Sequence, residues 1–109
     1  MSASNGSSQI FHRSLHKAYP IASSGKGVYL YANNGTRTLD GSSGAAVSCL
    51  GHGHEAVIQA IVDQAHQLAF AHTSFFSNDP AEELAALLTE SSYGSFSKVL
   101  YLSSGRRAS

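Results

Sequence analysis

Apolar positions along this chain change their spacing twice. In the first third they fall in short runs: Val28-Tyr29-Leu30-Tyr31 reads as a strand, Asn33-Asn34-Gly35 as a turn whose residues tolerate positive φ, and Thr36 to Leu39 as the returning strand. Gly25-Lys26-Gly27 opens this hairpin, and Asp40-Gly41-Ser42-Ser43-Gly44 follows it as a loop leading into Ala45-Ala46-Val47. From residue 54 the spacing turns helical. Over 54–71, Val57, Ile58, Ile61, Ala65, Leu68 and Ala69 share one face, and Gln59, Asp63, His66 and Gln67 lie opposite. Glu55 stands in the first turn, where the helix dipole favours negative charge. A second helix is predicted from Asp79-Pro80-Ala81-Glu82, with Asp79 as N-cap, Pro80 in the first helical position and Glu82 completing a capping box. Leu84, Leu87 and Leu88 form its stripe, and Ser91-Ser92-Tyr93-Gly94 ends it. Val99–Leu102 is then continuously apolar, the pattern of a parallel strand covered on both faces. Strand, helices and strand in that order predict an α/β fold, without internal repeats.

The N-terminal stretch differs in character. Residues 1–9 are polar and expected to be disordered. Residues 10–25 mix Ile10, Phe11, Leu15 and Tyr19 with His12 and His16, and Pro20 discourages continued helix, so they read as an extended arm that packs on something else. The division expected is a mobile arm over 1–25 and a folded part over 26–109.

Composition narrows the class. A chain of 109 residues holds one small domain. Its apolar share of 42% is ordinary, but the charged share of 13% is about half the usual fraction. Net charge is zero, which gives no sign of a nucleic-acid or anionic-membrane surface, and no apolar run approaches the roughly 18 residues of a membrane span. Cys49 is the only cysteine, excluding an intrachain disulfide and fitting a reducing compartment. The first acidic residue is Asp40, after Arg13, Lys17, Lys26 and Arg37. That acid-poor start is weakly like an organellar transit peptide, but with Arg sparse and no clear amphipathic stripe the expected location is cytoplasmic rather than mitochondrial.

Candidate chemistry concentrates at the C-terminal end. Lys98-Val99-Leu100-Tyr101-Leu102 runs into Ser103-Ser104-Gly105-Arg106, a strand entering a Ser-Gly turn. Free backbone amides at a strand–turn–helix junction hold phosphate well, and the helix dipole adds to them. Ser104, Gly105 and Arg106 are therefore the candidate anion-binding residues, although a plain surface turn is the default reading of Ser-Gly alone. His52, His54, His66 and His72 do not have metal-ligand spacing, and His66 falls on a polar helix face, so no metal site is expected. No GxSxG elbow supports a nucleophilic serine.

The segment from Gly27 to Gly105 resembles the N-terminal part of class III (omega-type) aminotransferases that depend on pyridoxal phosphate. The resemblance rests on ordered features: Gly27-Val28-Tyr29-Leu30, Gly35 and Leu39-Asp40; Gly44-Ala45-Ala46-Val47; and Leu50-Gly51-His52-Gly53-His54. It continues through Gln64, Leu68, Phe76, Pro80-Ala81-Glu82-Glu83-Leu84-Ala85 and Lys98-Val99-Leu100-Tyr101 to Ser104-Gly105.

The resemblance implies a fold-type-I α/β architecture, of which this chain holds the hairpin, two helices and the first strand of the large-domain sheet. It also implies transfer of an amino group from an amine or amino acid to an oxo acid, in a homodimer. Ser104 and Gly105 match the family's phosphate-binding turn. Arg106 stands where the family has Ser or Thr and Arg107 replaces Glu, with Ala108 returning to pattern. A guanidinium can itself bind phosphate. Two consecutive departures just before the end nevertheless point to a shifted reading frame or a retained intron, hence a truncated chain. The family's Schiff-base lysine lies far downstream, and Lys17, Lys26 and Lys98 do not match its motif, so no catalytic residue is assigned and the chain alone is expected to be inactive. Two other readings stay open: a non-catalytic fragment that pairs with a full-length aminotransferase, and a small free-standing α/β binding module.

Overall fold

Two glycines around Lys26 and an Asn-Asn-Gly turn divide residues 22–39 into three short extended pieces, and these pair into one sheet. In the computed structural model, which describes residues 8–104, β1 spans Ala22–Lys26, β2 Tyr29–Ala32 and β3 Arg37–Leu39. The sheet is antiparallel throughout in the order β1-β2-β3. Lys26 faces Tyr29 and Gly25 faces Leu30 on one side, while Tyr29 faces Leu39 and Tyr31 faces Arg37 on the other. The β2–β3 turn is closed by the Thr36 N–H donating to Asn34 Oδ1 at 3.0 Å, a side-chain turn of the kind asparagine makes readily. Across the same pair the Arg37 guanidinium lies 4.3 Å from the Tyr29 ring centroid, a cation–π contact of about 0.5–1 kcal/mol at an exposed site.

The hairpin expected between Val28 and Leu39 is present, and the sheet gains a strand from the segment read as arm: β1 begins at Ala22. Ahead of β1, Tyr19 gathers the chain. Its ring stacks on His12 at 4.7 Å, its hydroxyl accepts from the Ser14 N–H at 3.1 Å, and Lys17 Nζ lies 5.4 Å from its centroid. Of residues 1–9, expected to be disordered, 1–7 lie outside the described residues, as do 105–109.

The chain falls into two units, one running to Ala65 and one from His66. In the first, residues 43–46 form a short turn (α1, Ser43–Ala46), and α2 begins at Glu55; α2 ends at Gln67, just past the division, rather than continuing to 71. In the second, α3 spans Asp79–Ser91. Its cap is Asn78, one residue before the expected Asp79: the Asn78 side chain accepts from the Ala81 N–H at 3.0 Å, which puts Asp79 and Pro80 inside the first turn. Glu82 still takes part, accepting from the Ser77 hydroxyl. The helix ends at Ser91, within the expected Ser91–Gly94 stop, and Tyr93 and Gly94 follow with positive φ.

The expected parallel strand does not form. Residues 98–104 are irregular; Leu100 is 81% exposed, and the Tyr101 hydroxyl donates to the Ala81 carbonyl at 2.6 Å. A strand of this type exists only through the ladders of its neighbours, and the described strands pair among themselves within 22–39. Apolar character alone is no substitute for a partner.

No described residue, apolar or polar, is buried. The helical stripes form in register as predicted but stand open, with Ile61 63% and Leu87 60% exposed. At about 25 cal/mol per Å² of apolar area, uncovered stripes forfeit several kcal/mol, as much as the net stability of a small domain. The 109-residue chain expressed alone is therefore expected to bind a hydrophobic dye strongly and to show no sharp heat-absorption peak in calorimetry, the order that persists being local hydrogen bonding within the first unit. A single cooperative transition from a soluble monomer would contradict this.

Candidate functional site

The most connected group of side chains lies where β3 hands the chain to the loop over residues 41–53. Asp40 follows Leu39 directly, and its N–H donates to the Val28 carbonyl at 2.7 Å, which fixes its side chain at the sheet edge. Oδ1 accepts from the Ser43 N–H at 2.9 Å. Oδ2 accepts from the Ser48 hydroxyl at 2.9 Å and meets His52 Nε2 at 2.6 Å. With the carboxylate ionised, Nε2 must carry the proton and donate it. The two side chains are 12% (Asp40) and 21% (His52) exposed, well below most of their surroundings.

His52 is held from a second direction by its backbone. Its N–H donates to the Gly27 carbonyl at 2.8 Å and its carbonyl accepts from the Gly27 N–H at 2.9 Å, an isolated antiparallel bridge. The close approach depends on Gly25: a Cβ there would lie 2.9 Å from the Cβ of His52. The loop thus reads as a strap, tied at Asp40 by side chains and at Gly27 by backbone.

Between these ties the chain takes an uncommon path. Ser43, Gly44, Ala45 and Ala46 all have positive φ, between 54° and 70°, so α1 is a single left-handed turn. For residues with a Cβ this conformation costs roughly 1–2 kcal/mol each. Val47 and Ser48 N–H groups both donate to the Ser43 carbonyl, at 2.7 and 3.0 Å, and close the turn.

Hydrogen bonds from His52 and then Ser48, with a lesser one from the Ser43 N–H, hold the Asp40 carboxyl below the usual carboxylate range, against a smaller opposing push from its partial burial. This arrangement suits structure better than catalysis. Every oxygen lone-pair direction used faces a donor of the loop itself, and Ser48 and His52 both meet Oδ2 instead of each other, so there is no serine–histidine pair to generate a nucleophile. Beside the strap a cleft of about 380 Å³ opens, lined by Val47, Cys49 and Leu50 on one side and Val57 and Ile58 of α2 on the other.

Two further histidines have local partners. His54 Nδ1 accepts from the Val57 N–H at 3.4 Å at the start of α2, and His72 Nδ1 accepts from the Ser74 N–H at 3.0 Å. Among the described residues no group of three or more His, Cys, Asp or Glu is close enough to hold a metal ion. No described helix is long and apolar enough to cross a membrane.

Of the three expected phosphate contacts, only Ser104 is described, exposed at the end of the irregular run. Gly105 and Arg106 lie outside the described residues. Lys17 lies near Tyr19, Lys26 ends β1, and Lys98 lines a groove with Glu82 and Thr89 of α3. Sequence reasoning missed the Asp40–Ser48–His52 cluster. Both Leu39-Asp40 and Leu50-Gly51-His52 stood out as motifs, but nothing in their spacing joins residues 40 and 52.

The sequence matches a known family. The model of the family described as Aminotransferase class-III matches residues 10–109, and the chain belongs to that family. It is 39% identical over 99 residues, 91% of its length, to an uncharacterized aminotransferase of Schizosaccharomyces pombe, covering 22% of that protein. It is 40% identical over 102 residues, 94% of its length, to the uncharacterized aminotransferase YodT of Bacillus subtilis, covering 23% of it. An acetylornithine aminotransferase of Ralstonia nicotianae is 40% identical over 88 residues, 81% of this chain and 21% of that enzyme. The chain thus spans between a fifth and a quarter of the length of these relatives. Transamination is the family's activity and pyridoxal phosphate its cofactor. Among the described residues nothing forms a cradle for that cofactor: Ser104 is exposed, follows no strand, and leads into no described helix.

Two outcomes are expected at the strap. Gly25→Ala should separate His52 from Gly27, read as faster hydrogen exchange at both amides, with β2–β3 exchange unchanged. Because Asp40 has a lowered pKa in the folded state, its stabilising effect is complete above the ordinary carboxylate pKa and fades as pH falls through the lowered value. Protection at Gly27 and His52 should follow that course on acidification; protection that instead rises as pH falls would refute the assignment.

Proposed function

We propose that this chain is the N-terminal scaffold portion of a pyridoxal-phosphate-dependent class III aminotransferase of fold type I. The whole enzyme transfers an amino group from an amine or amino acid to an oxo acid. The observation that carries the reading is the family match across residues 10–109, with about 40% identity to several aminotransferases. The relatives named acetylornithine aminotransferases favour an amino donor of that type, an acylated diamino acid, over a simple amine. The parent enzyme works as a cytoplasmic homodimer in this reading, and the exposed thiol of Cys49 suits a reducing compartment.

The described residues supply framework, not reacting groups. Ser104, Gly105 and Arg106 mark where the chain would meet the cofactor phosphate once a complete domain surrounds them. Bound pyridoxal phosphate supplies the electron sink of the reaction. What this chain adds is position: β1–β3 and the strap set the loop over residues 41–53, and α2 and α3 offer apolar faces for the rest of the domain to cover. Those faces also favour a second reading, a non-catalytic fragment that pairs with a full-length aminotransferase. The lack of any buried described residue gives no support to a free-standing binding module.

Alone, the 109-residue chain is expected to transfer no amino group from N-acetylornithine to an oxo acid and to give no lysine-linked cofactor absorbance. Joined in frame to the remaining four-fifths of an acetylornithine aminotransferase in place of the matching segment, it should yield a soluble, active transaminase. A soluble chimaera that binds cofactor but transfers nothing would defeat the scaffold reading. Recovery of a full-length aminotransferase with the separately expressed chain would select the pairing reading.

A further inference from the structure

We infer that the ionised Asp40 carboxylate is a clasp that holds Ser43–Ala46 in its left-handed turn, making the loop over residues 41–53 a spring-loaded strap that opens when the clasp is undone. The inference stands on geometry within the first unit and does not depend on the aminotransferase reading.

The turn does not hold itself. Ser43, Ala45 and Ala46 occupy a region that L-residues with a Cβ avoid, so the segment is uphill of a relaxed loop. Its internal closure consists of the Val47 and Ser48 N–H groups on the Ser43 carbonyl and a longer bond, at 3.4 Å, from the Ala46 N–H to the Ser42 carbonyl. The added restraint comes from outside the turn, at Asp40. One carboxylate oxygen fixes the first residue of the turn through the Ser43 N–H, and the other fixes Ser48 just beyond its end. The same oxygen reaches on to His52 at 2.6 Å, so a single charged group spans the loop from start to finish.

The arrangement is bistable because its parts need one another. His52 must be docked for its Nε2 to reach Asp40, and docking is what the Gly27 bridge provides. Facing the carboxylate are His52, the one titratable neighbour, together with the Ser48 hydroxyl and the Ser43 N–H. All are donors, so loss of the negative charge weakens every tie at once, and the strain of the turn then favours release. The β2–β3 pair has its own ladder and stays.

The strain makes a specific, sign-reversed expectation possible. In an ordinary helix Ala→Gly loosens the structure; in a left-handed turn it relieves strain. Hydrogen exchange at the Gly27 and His52 amides of the full chain at neutral pH reads strap closure directly. Asp40→Asn, which keeps the shape and loses the charge, should speed exchange at both amides about tenfold or more, as expected when bonds to a charged acceptor are lost. Adding Ala45→Gly or Ala46→Gly to Asp40→Asn should return most of the protection, whereas Ala60→Gly on exposed α2 should not. Intense intraresidue Hα–HN cross-peaks at Ala45 and Ala46 should be present in the wild-type chain and absent in Asp40→Asn. Unprotected Gly27 and His52 amides in the wild-type chain, unchanged exchange in Asp40→Asn, or Ala45→Gly and Ala46→Gly substitutions that return no more protection than Ala60→Gly, would each overturn the clasp.

Discussion

Asp40 takes hydrogen bonds from Ser43, Ser48 and His52, and through them one carboxylate organises a loop that has no apolar core of its own. A carboxylate suits this task because it offers about four lone-pair directions and no donor, so it can satisfy several approaching groups without a competing proton. Its position is set by the sheet: β3 delivers it, and the bond from its N–H to Val28 keeps it at the edge nearest Gly27. From there the consequences run outward, to the bridge between Gly27 and His52, to the entry of α2 three residues later, and to the cleft that α2 and the strap enclose.

The helices obey a different logic. Each is locally well specified, α3 by the Asn78 cap and the proline in its first turn, α2 by Glu55 at the positive end of its dipole. Neither has buried its stripe. Local hydrogen bonding can draw a helix in the right place, but a helix of 13 residues gains most of its stability from what its apolar face touches. Polar order here is short-range and complete, while apolar order awaits surface that the described residues do not provide. That contrast fits a segment matching under a quarter of its relatives' length.

What the sequence made legible follows the same division. The Asn33-Asn34-Gly35 turn, the helical periodicities and the Tyr93-Gly94 stop are encoded within a few residues, and all are present. The sequence points to Asp79 where the cap is Asn78, because Asn and Asp cap equally well and sit side by side, so only the side-chain bond to Ala81 distinguishes them. Two things were not legible. β1 is a Ser- and Gly-rich strand, Ala-Ser-Ser-Gly-Lys, whose reason for being extended is its neighbour β2 and not its own composition. The Asp40–His52 pair joins residues 12 apart across a loop with no periodic signal. Val99–Leu102 failed in the opposite sense: its composition is right for a parallel strand, but a strand is a property of a pair.

The left-handed turn shows why a short charged contact can outweigh the helices in setting local geometry. Covering the stripes of α2 and α3 adds stability that is proportional to area and indifferent to the detailed path of the loop. The turn at Ser43–Ala46 needs the reverse, a directional restraint strong enough to keep two alanines where they would not settle unaided. Only hydrogen bonds to a fixed acceptor supply direction, and those to an ionised acceptor are roughly twice as strong as neutral ones. The first unit can therefore hold a defined loop before its apolar surface is covered, and whatever packs on Val47, Leu50, Val57 and Ile58 meets a surface whose shape Asp40 has already set.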